Sequence, residues 1–111
     1  MNGLVNVKAK SKDDWKIWHY GTMISPSVMD VDGSPVHVVP RTVCESTGLM
    51  CRGRTVYEND WLDVFGNGEH HQFLVVWVDN KFYACEDEEI RYPLKNVLTS
   101  ESCRIVGNLY D

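Results

Sequence analysis

Four groups of residues in this 111-residue chain have side chains that could carry chemistry. The first is Tyr57-Glu58-Asn59-Asp60, with two carboxylates around a turn-forming Asn. Two residues apart on a strand, the carboxylates would share one face and could share a proton or hold a cation. The same residues also suit a structural role, accepting backbone N–H bonds around a tight turn that enters a strand. No nucleophile–base pair accompanies them, and the structural reading leads.

The second group is Trp15, Lys16, Trp18, His19 and Tyr20, with Lys12 nearby. Aromatic rings stack nucleic-acid bases while lysines meet phosphates, and Lys16, Trp18, His19 and Tyr20 are the candidate binding residues. The competing reading packs Trp18 and Tyr20, two apart, on one face of a sheet. Trp61 and Trp77 are expected in the core on the same grounds.

Thr42, Ser46 and Thr47, close to Gly48, form the third group. A helix N-terminus here would suit a phosphate, but the glycine pattern of a phosphate loop is absent. Ser46 has no His or Asp at a recognisable triad spacing. Thr42-Val43-Cys44-Glu45 matches a capping box, with Gly48 placed to close a helix of one or two turns.

The last group offers metal-type ligands. Cys44, Cys51, Cys85 and Cys103 contain no Cys-x-x-Cys, and adjacent His70 and His71 would point to opposite faces of a strand. The acidic run Glu86–Glu89 lacks the glycine-interrupted spacing of a cation loop and reads as a solvated turn. No metal or cofactor is expected.

The elements that must position these groups are mostly β. Trp15–Ile24 is an aromatic and β-branched strand pattern broken at Gly21, and Val28–Val31 and Pro35–Val39 flank the hairpin dipeptide Asp32-Gly33. Thr55–Phe65 resumes β character, and Phe73–Val78 with Phe82–Cys85 forms the clearest hairpin, around Asp79-Asn80-Lys81. Many short strands with frequent turns indicate a mainly β fold (α+β at most), a small barrel or sandwich with one short helix near 42–48. A boundary near Pro40 divides a strand and hairpin region, 1–40, from a barrel region, 41–111. Hydrophobic residues at 43% and charged residues at 24% are ordinary globular values.

The net charge of −5 argues against a protein held to nucleic acid or an anionic membrane by bulk charge, but leaves a local basic groove open. The polar, basic start of the chain lacks a signal-peptide run. Its longest apolar stretch, the six residues Phe73–Val78, is far too short to span a membrane. A cytoplasmic location, without a membrane partner, is the expectation.

Several ordered motifs are similar to one family. Val39-Pro40-Arg41-Thr42-Val43 with Thr47-Gly48-Leu49 resembles the "peTVgqyTGl" segment of the YopX family of phage and prophage proteins. Val56-Tyr57-Glu58-Asn59-Asp60 resembles its "IYEGD" box, with Asn59 in place of Gly. Ile105-Val106-Gly107-Asn108-Leu109-Tyr110-Asp111 resembles its closing "iiGNIYd". Trp18-His19-Tyr20-Gly21 is similar to its early "W.yG", and Val75-Val76-Trp77-Val78 with Phe82 falls at its "v.w….f" pair. The resemblance covers roughly residues 15–111 and implies a phage-encoded protein of the bacterial host cytoplasm with an SH3-like barrel in the C-terminal part. It supplies no catalytic residues. Thr42, Thr47, Gly48, Tyr57, Glu58, Asp60, Gly107 and Asn108 are its motif positions and read as structural.

The function expected is that of a non-enzymatic accessory protein binding a host or phage macromolecule. A nucleic-acid or nucleotide-binding β-barrel is the alternative, and an enzyme using Glu58 and Asp60 is the third reading. The many large aromatics and the strand edges of the N-terminal hairpin lead to an expected symmetric homo-oligomer. Light scattering across a concentration series should then return a multiple of 12.8 kDa. A constant mass of 12.8 kDa excludes it.

Overall fold

The computed structural model describes residues 6–66, 68–89, 91–99 and 102–111. Its hairpins follow from backbone permissiveness. Asp32-Gly33, Arg52-Gly53 and Asp79-Asn80 have positive φ at both residues, the geometry that matches the twist of the flanking strands. They join three strand pairs: β3 (Val28–Val31) to β4 (Ser34–His37), β5 (Cys44–Cys51) to β6 (Arg54–Tyr57), and β8 (Glu69–Val78) to β9 (Lys81–Cys85). The remaining strands are β1 (Val7–Lys10), β2 (Trp18–Ser25), β7 (Asp60–Gly66), β10 (Arg91–Pro93) and β11 (Cys103–Asn108). The fold is mainly β.

Two compact units divide the chain, Met1–Ser46 with Tyr110 and Thr47–Leu109 with Asp111. In the first, the strand order is β4-β3-β2-β1-β5. Strand β1 pairs antiparallel with β2 through Val7↔Gly21 and Lys10↔Trp18, and with the start of β5 through Lys8↔Cys44. Val7, Ala9, Met23, Met29 and Val38 form this unit's core. The alternation in Val36-His37-Val38 holds, with Val38 buried and His37 exposed.

In the second unit a five-stranded sheet runs β10-β9-β8-β7-β11, and each neighbouring pair is antiparallel. Leu62, Phe73, Val75, Ala84 and Cys103 pack from one face of this sheet against Val56 and Leu94. The sheet is open, which corrects the expected SH3-like barrel. Closure would have to use β10, which is three residues long and ends in Pro93, a residue with no N–H for the ladder.

The short helix expected near 42–48 is also corrected. Pro40–Thr42 makes a single 3-10 turn, Val43 is extended, and residues 44–51 are strand. The Thr42 hydroxyl caps nothing: it donates to the Val39 carbonyl at 2.7 Å and accepts the Lys10 N–H at 2.9 Å. Pairing with β1 buries Cys44 completely, whereas a helix of one or two turns nucleates poorly. The α-helix, α1, lies instead at Leu94–Leu98, directly after Pro93, and is anchored by buried Leu94. Trp77 is 43% exposed rather than in the core, tilted against Phe82 with ring centroids 4.5 Å apart, and Trp61 is only partly buried. Among the described residues, no helix is long and apolar enough to cross a membrane.

Among the described glycines, Gly21 lies nearest to a neighbouring strand's backbone. A Cβ there would overlap the Asp30 carbonyl oxygen of β3. Gly21→Ala should therefore force β2 away from β3 and cost about 1–3 kcal/mol or more. Gly66→Ala, with nothing within 4 Å of the new methyl, should stay within about 0.5 kcal/mol. Urea unfolding of the two variants measures the difference.

Candidate binding face

The β1–β2 register sets Lys8 opposite Tyr20 and Lys10 opposite Trp18. Directly opposed residues share a face of the sheet, so these four side chains stand together while Val7 and Ala9 enter the core behind them. Lys8 Nζ lies 4.6 Å from the centroid of the Trp18 ring, and Lys10 Nζ also lies 4.6 Å from it. Lys10 Nζ is 5.7 Å from Trp15, whose ring has the Arg41 guanidinium at 5.1 Å. Two indoles thus serve three cations. The electron-rich ring faces offset part of the desolvation of Lys8 and Lys10, which are only 7% and 3% exposed.

The outer part of the face is open. Trp15 is 41% exposed and Tyr20 51%, with Lys12, Lys16 and Arg41 also exposed. The loop that carries Trp15 is held at its base by Ser11 N–H to the Ile17 carbonyl at 2.9 Å and by Ile17 N–H to the Asp14 carbonyl at 3.0 Å. The Asp14 carboxylate accepts the Lys16 N–H at 3.0 Å.

Of the residues expected from the sequence, Trp18 and Tyr20 come together here and Lys16 lies in the adjoining loop. His19 does not join them, because it pairs with Ala9 and shares the core-side face. Lys8, Lys10 and Arg41 were missed. The signal for the lysines was the alternation Val7-Lys8-Ala9-Lys10, a two-faced strand pattern. Charge is also unevenly spread: residues 1–46 hold five Lys and Arg against five Asp and Glu, whereas residues 47–111 hold six against eleven.

The carboxylates of the Tyr57-Glu58-Asn59-Asp60 segment do not share a strand face. Glu58 and Asn59 form the turn between β6 and β7, with Asn59 at φ +69°. Asp60 is 1% exposed, and its carboxylate folds back to accept the Tyr57 N–H at 2.8 Å and the Asn108 side-chain amide at 2.9 Å. Asn108 N–H in turn donates to the Asp111 carboxylate at 2.7 Å, and Leu109 N–H to the Asn59 carbonyl at 2.8 Å. Gly107 sits beside a register shift in the β11–β7 ladder. Thr47 Oγ1 donates to the Val56 carbonyl at 2.7 Å and accepts the Leu49 N–H at 3.1 Å, beside Gly48 at φ +75°. These motif side chains bind backbone and one another.

His71 stands between two acids, Nε2 3.0 Å from Glu69 and Nδ1 3.2 Å from Glu86. Both ring nitrogens face carboxylate oxygens, and only the imidazolium can donate to both. The hydrogen bond with Glu69 and then that with Glu86 raise its pKa above the ordinary histidine value. His70 is 3.3 Å from the Asp63 carboxylate and stacks on Phe65. Cys44, Cys51, Cys85 and Cys103 form no disulfide. Burial, followed by hydrogen bonding with Cys51, pushes the Cys103 thiol up to about 12. Comparison of the chain with protein families, with curated proteins and with solved structures finds no match.

Two outcomes follow. Asp60→Ala should destabilise the fold by about 1–3 kcal/mol, since it strips a buried backbone donor and a buried amide of their acceptor. Chemical denaturation measures this. An NMR titration should place His71 above 6.5, with Glu69→Gln lowering it more than Glu86→Gln. Because the folded value is the raised one, the His71 contribution to stability is complete below pH 6.5 and disappears as pH rises through the folded value.

Proposed function

We propose that the protein is a non-enzymatic binding module whose aromatic and cationic face takes single-stranded nucleic acid. The observation that carries this reading is the clustering of Lys8, Lys10 and Arg41 around Trp15 and Trp18, with Tyr20 on the same face as the lysines. Single-strand binding needs ring faces for bases and cations for the backbone. Trp15 and Tyr20 supply the exposed rings, and Lys12, Lys16 and Arg41 the exposed cations. Lys8 and Lys10, largely buried, fix Trp18 and add positive potential beneath the face. The balanced charge of residues 1–46 supports the same reading, since the net −5 resides in the remainder of the chain.

The YopX-like order of motifs supports placing this activity in a phage or prophage accessory protein of a bacterial cytoplasm. The closed turn network of Asp60 and Asn108 favours a binding module over an enzyme built on Glu58 and Asp60.

Fluorescence anisotropy with a labelled oligothymidylate tests the proposal. Binding should weaken as salt is raised. Trp15→Ala and Tyr20→Ala should each cost about 1–3 kcal/mol of affinity. Arg41→Ala should lower the salt slope by about one, and Lys81→Ala should change nothing. Absence of binding at low salt overturns the reading.

A further inference from the structure

The five-stranded sheet of the second unit carries apolar side chains on both faces. One face carries the core, through Leu62, Phe73, Val75 and Ala84. The ladder pairs Trp61↔Leu74↔Cys85 and Val76↔Tyr83 place a second apolar set on the other. There, Trp61, Leu74, Val76 and Val78 line a cleft of about 500 Å³. Glu86, Asp87 and Glu88 stand at its margin against one cation, Arg91, whose guanidinium lies 5.9 Å from the Tyr83 ring. Cys85 also lines the cleft. Burial raises its thiol pKa, Arg91 lowers it and Asp87 raises it, which keeps the floor uncharged at neutral pH.

We infer that this cleft docks an extended, Lys- or Arg-bearing segment of a partner protein, with apolar side chains at alternate positions. Two features fix that chemistry. Leu74, Val76 and Val78 recur every second residue along β8, and an extended peptide presents alternate side chains at the same repeat of about 6.6 Å. The margin, Asp87, Glu88 and the His71-paired Glu86 against one guanidinium, complements a cationic peptide and repels an acidic one. The surplus of acids in residues 47–111 extends that preference to the approach of the partner. This surface is distinct from the aromatic face of residues 8–41, and the two proposals stand separately.

Panning a random twelve-residue peptide library on the full chain tests the assignment. Recovered sequences should alternate apolar residues with Lys or Arg, and one of them, synthesised and labelled, should bind at least tenfold more weakly to Val76→Lys and to Glu88→Lys. Glu88 is exposed, so its variant keeps the test sound if Val76→Lys fails to fold. Its affinity should fall with salt, and oligothymidylate should not displace it. The assignment is overturned if panning enriches nothing, if enriched peptides lack basic residues, or if Glu88→Lys binds them as well as the parent. Displacement by the oligonucleotide overturns it too. A drop in the light-scattering mass on introducing Glu88→Lys would make a second copy the occupant and overturn it equally.

Discussion

Strand β1 is buried on both faces, and its four residues alternate between two kinds of burial. Val7 and Ala9 enter an aliphatic core, where removing apolar area from water is favourable without any directional requirement. Lys8 and Lys10 point the other way, where an ammonium out of water is costly unless a partner replaces its hydration. The indole of Trp18, 4.6 Å from both amines, is such a partner. A one-residue slip in the β1–β2 register would put lysines into the aliphatic core and Val7 and Ala9 beneath the indoles. The alternation therefore fixes the register, and the register fixes which side of β2 becomes the aromatic face. His19 is excluded from that face by the same rule that includes Trp18 and Tyr20.

The second unit solves a different problem. Its turn between β6 and β7 needs a left-handed residue and leaves backbone N–H groups to be satisfied. Asn59 takes the conformation, the Asp60 carboxylate takes the Tyr57 N–H, and Asn108 reaches across from β11 to the same carboxylate. One buried acid thus ties the start of β7 to the end of β11, 48 residues apart in the chain. A carboxylate so placed has its oxygens occupied by the groups that orient the turn. That is why Asp60, one of two acids that look suited to proton transfer in the sequence, is engaged in the turn.

Hairpins were legible from sequence because their chemistry is local: Asp32-Gly33 and Asp79-Asn80 tolerate positive φ whatever surrounds them. The helix near 42–48 was misread for the converse reason. A capping box is a local signal, but the Thr42 hydroxyl is claimed by Lys10 and Val39, and Lys10 lies 32 residues away. The open edge of the second sheet likewise depends on which strands meet, which no local pattern states. Trp77 was misplaced because aromatic size predicts burial only when the core can hold it. Here Phe73, Val75 and Leu62 already fill that face.

At the candidate site, the aromatic residues and the loop lysines Lys12 and Lys16 were readable, whereas Lys8, Lys10 and Arg41 were not. Lys8 and Lys10 looked like solvated charges of a polar terminus, since lysines are rarely buried. Only long-range pairing turns Val7-Lys8-Ala9-Lys10 into a central strand with β2 on one side and β5 on the other. Once it is central, both faces must be covered, and the rings available to cover the cationic one are Trp15 and Trp18. Those rings are then held by the cations packed around them, which fixes their orientation. Preorganisation of that kind lowers the ordering cost of binding, and it follows directly from the burial of two lysines that the fold needs for its register.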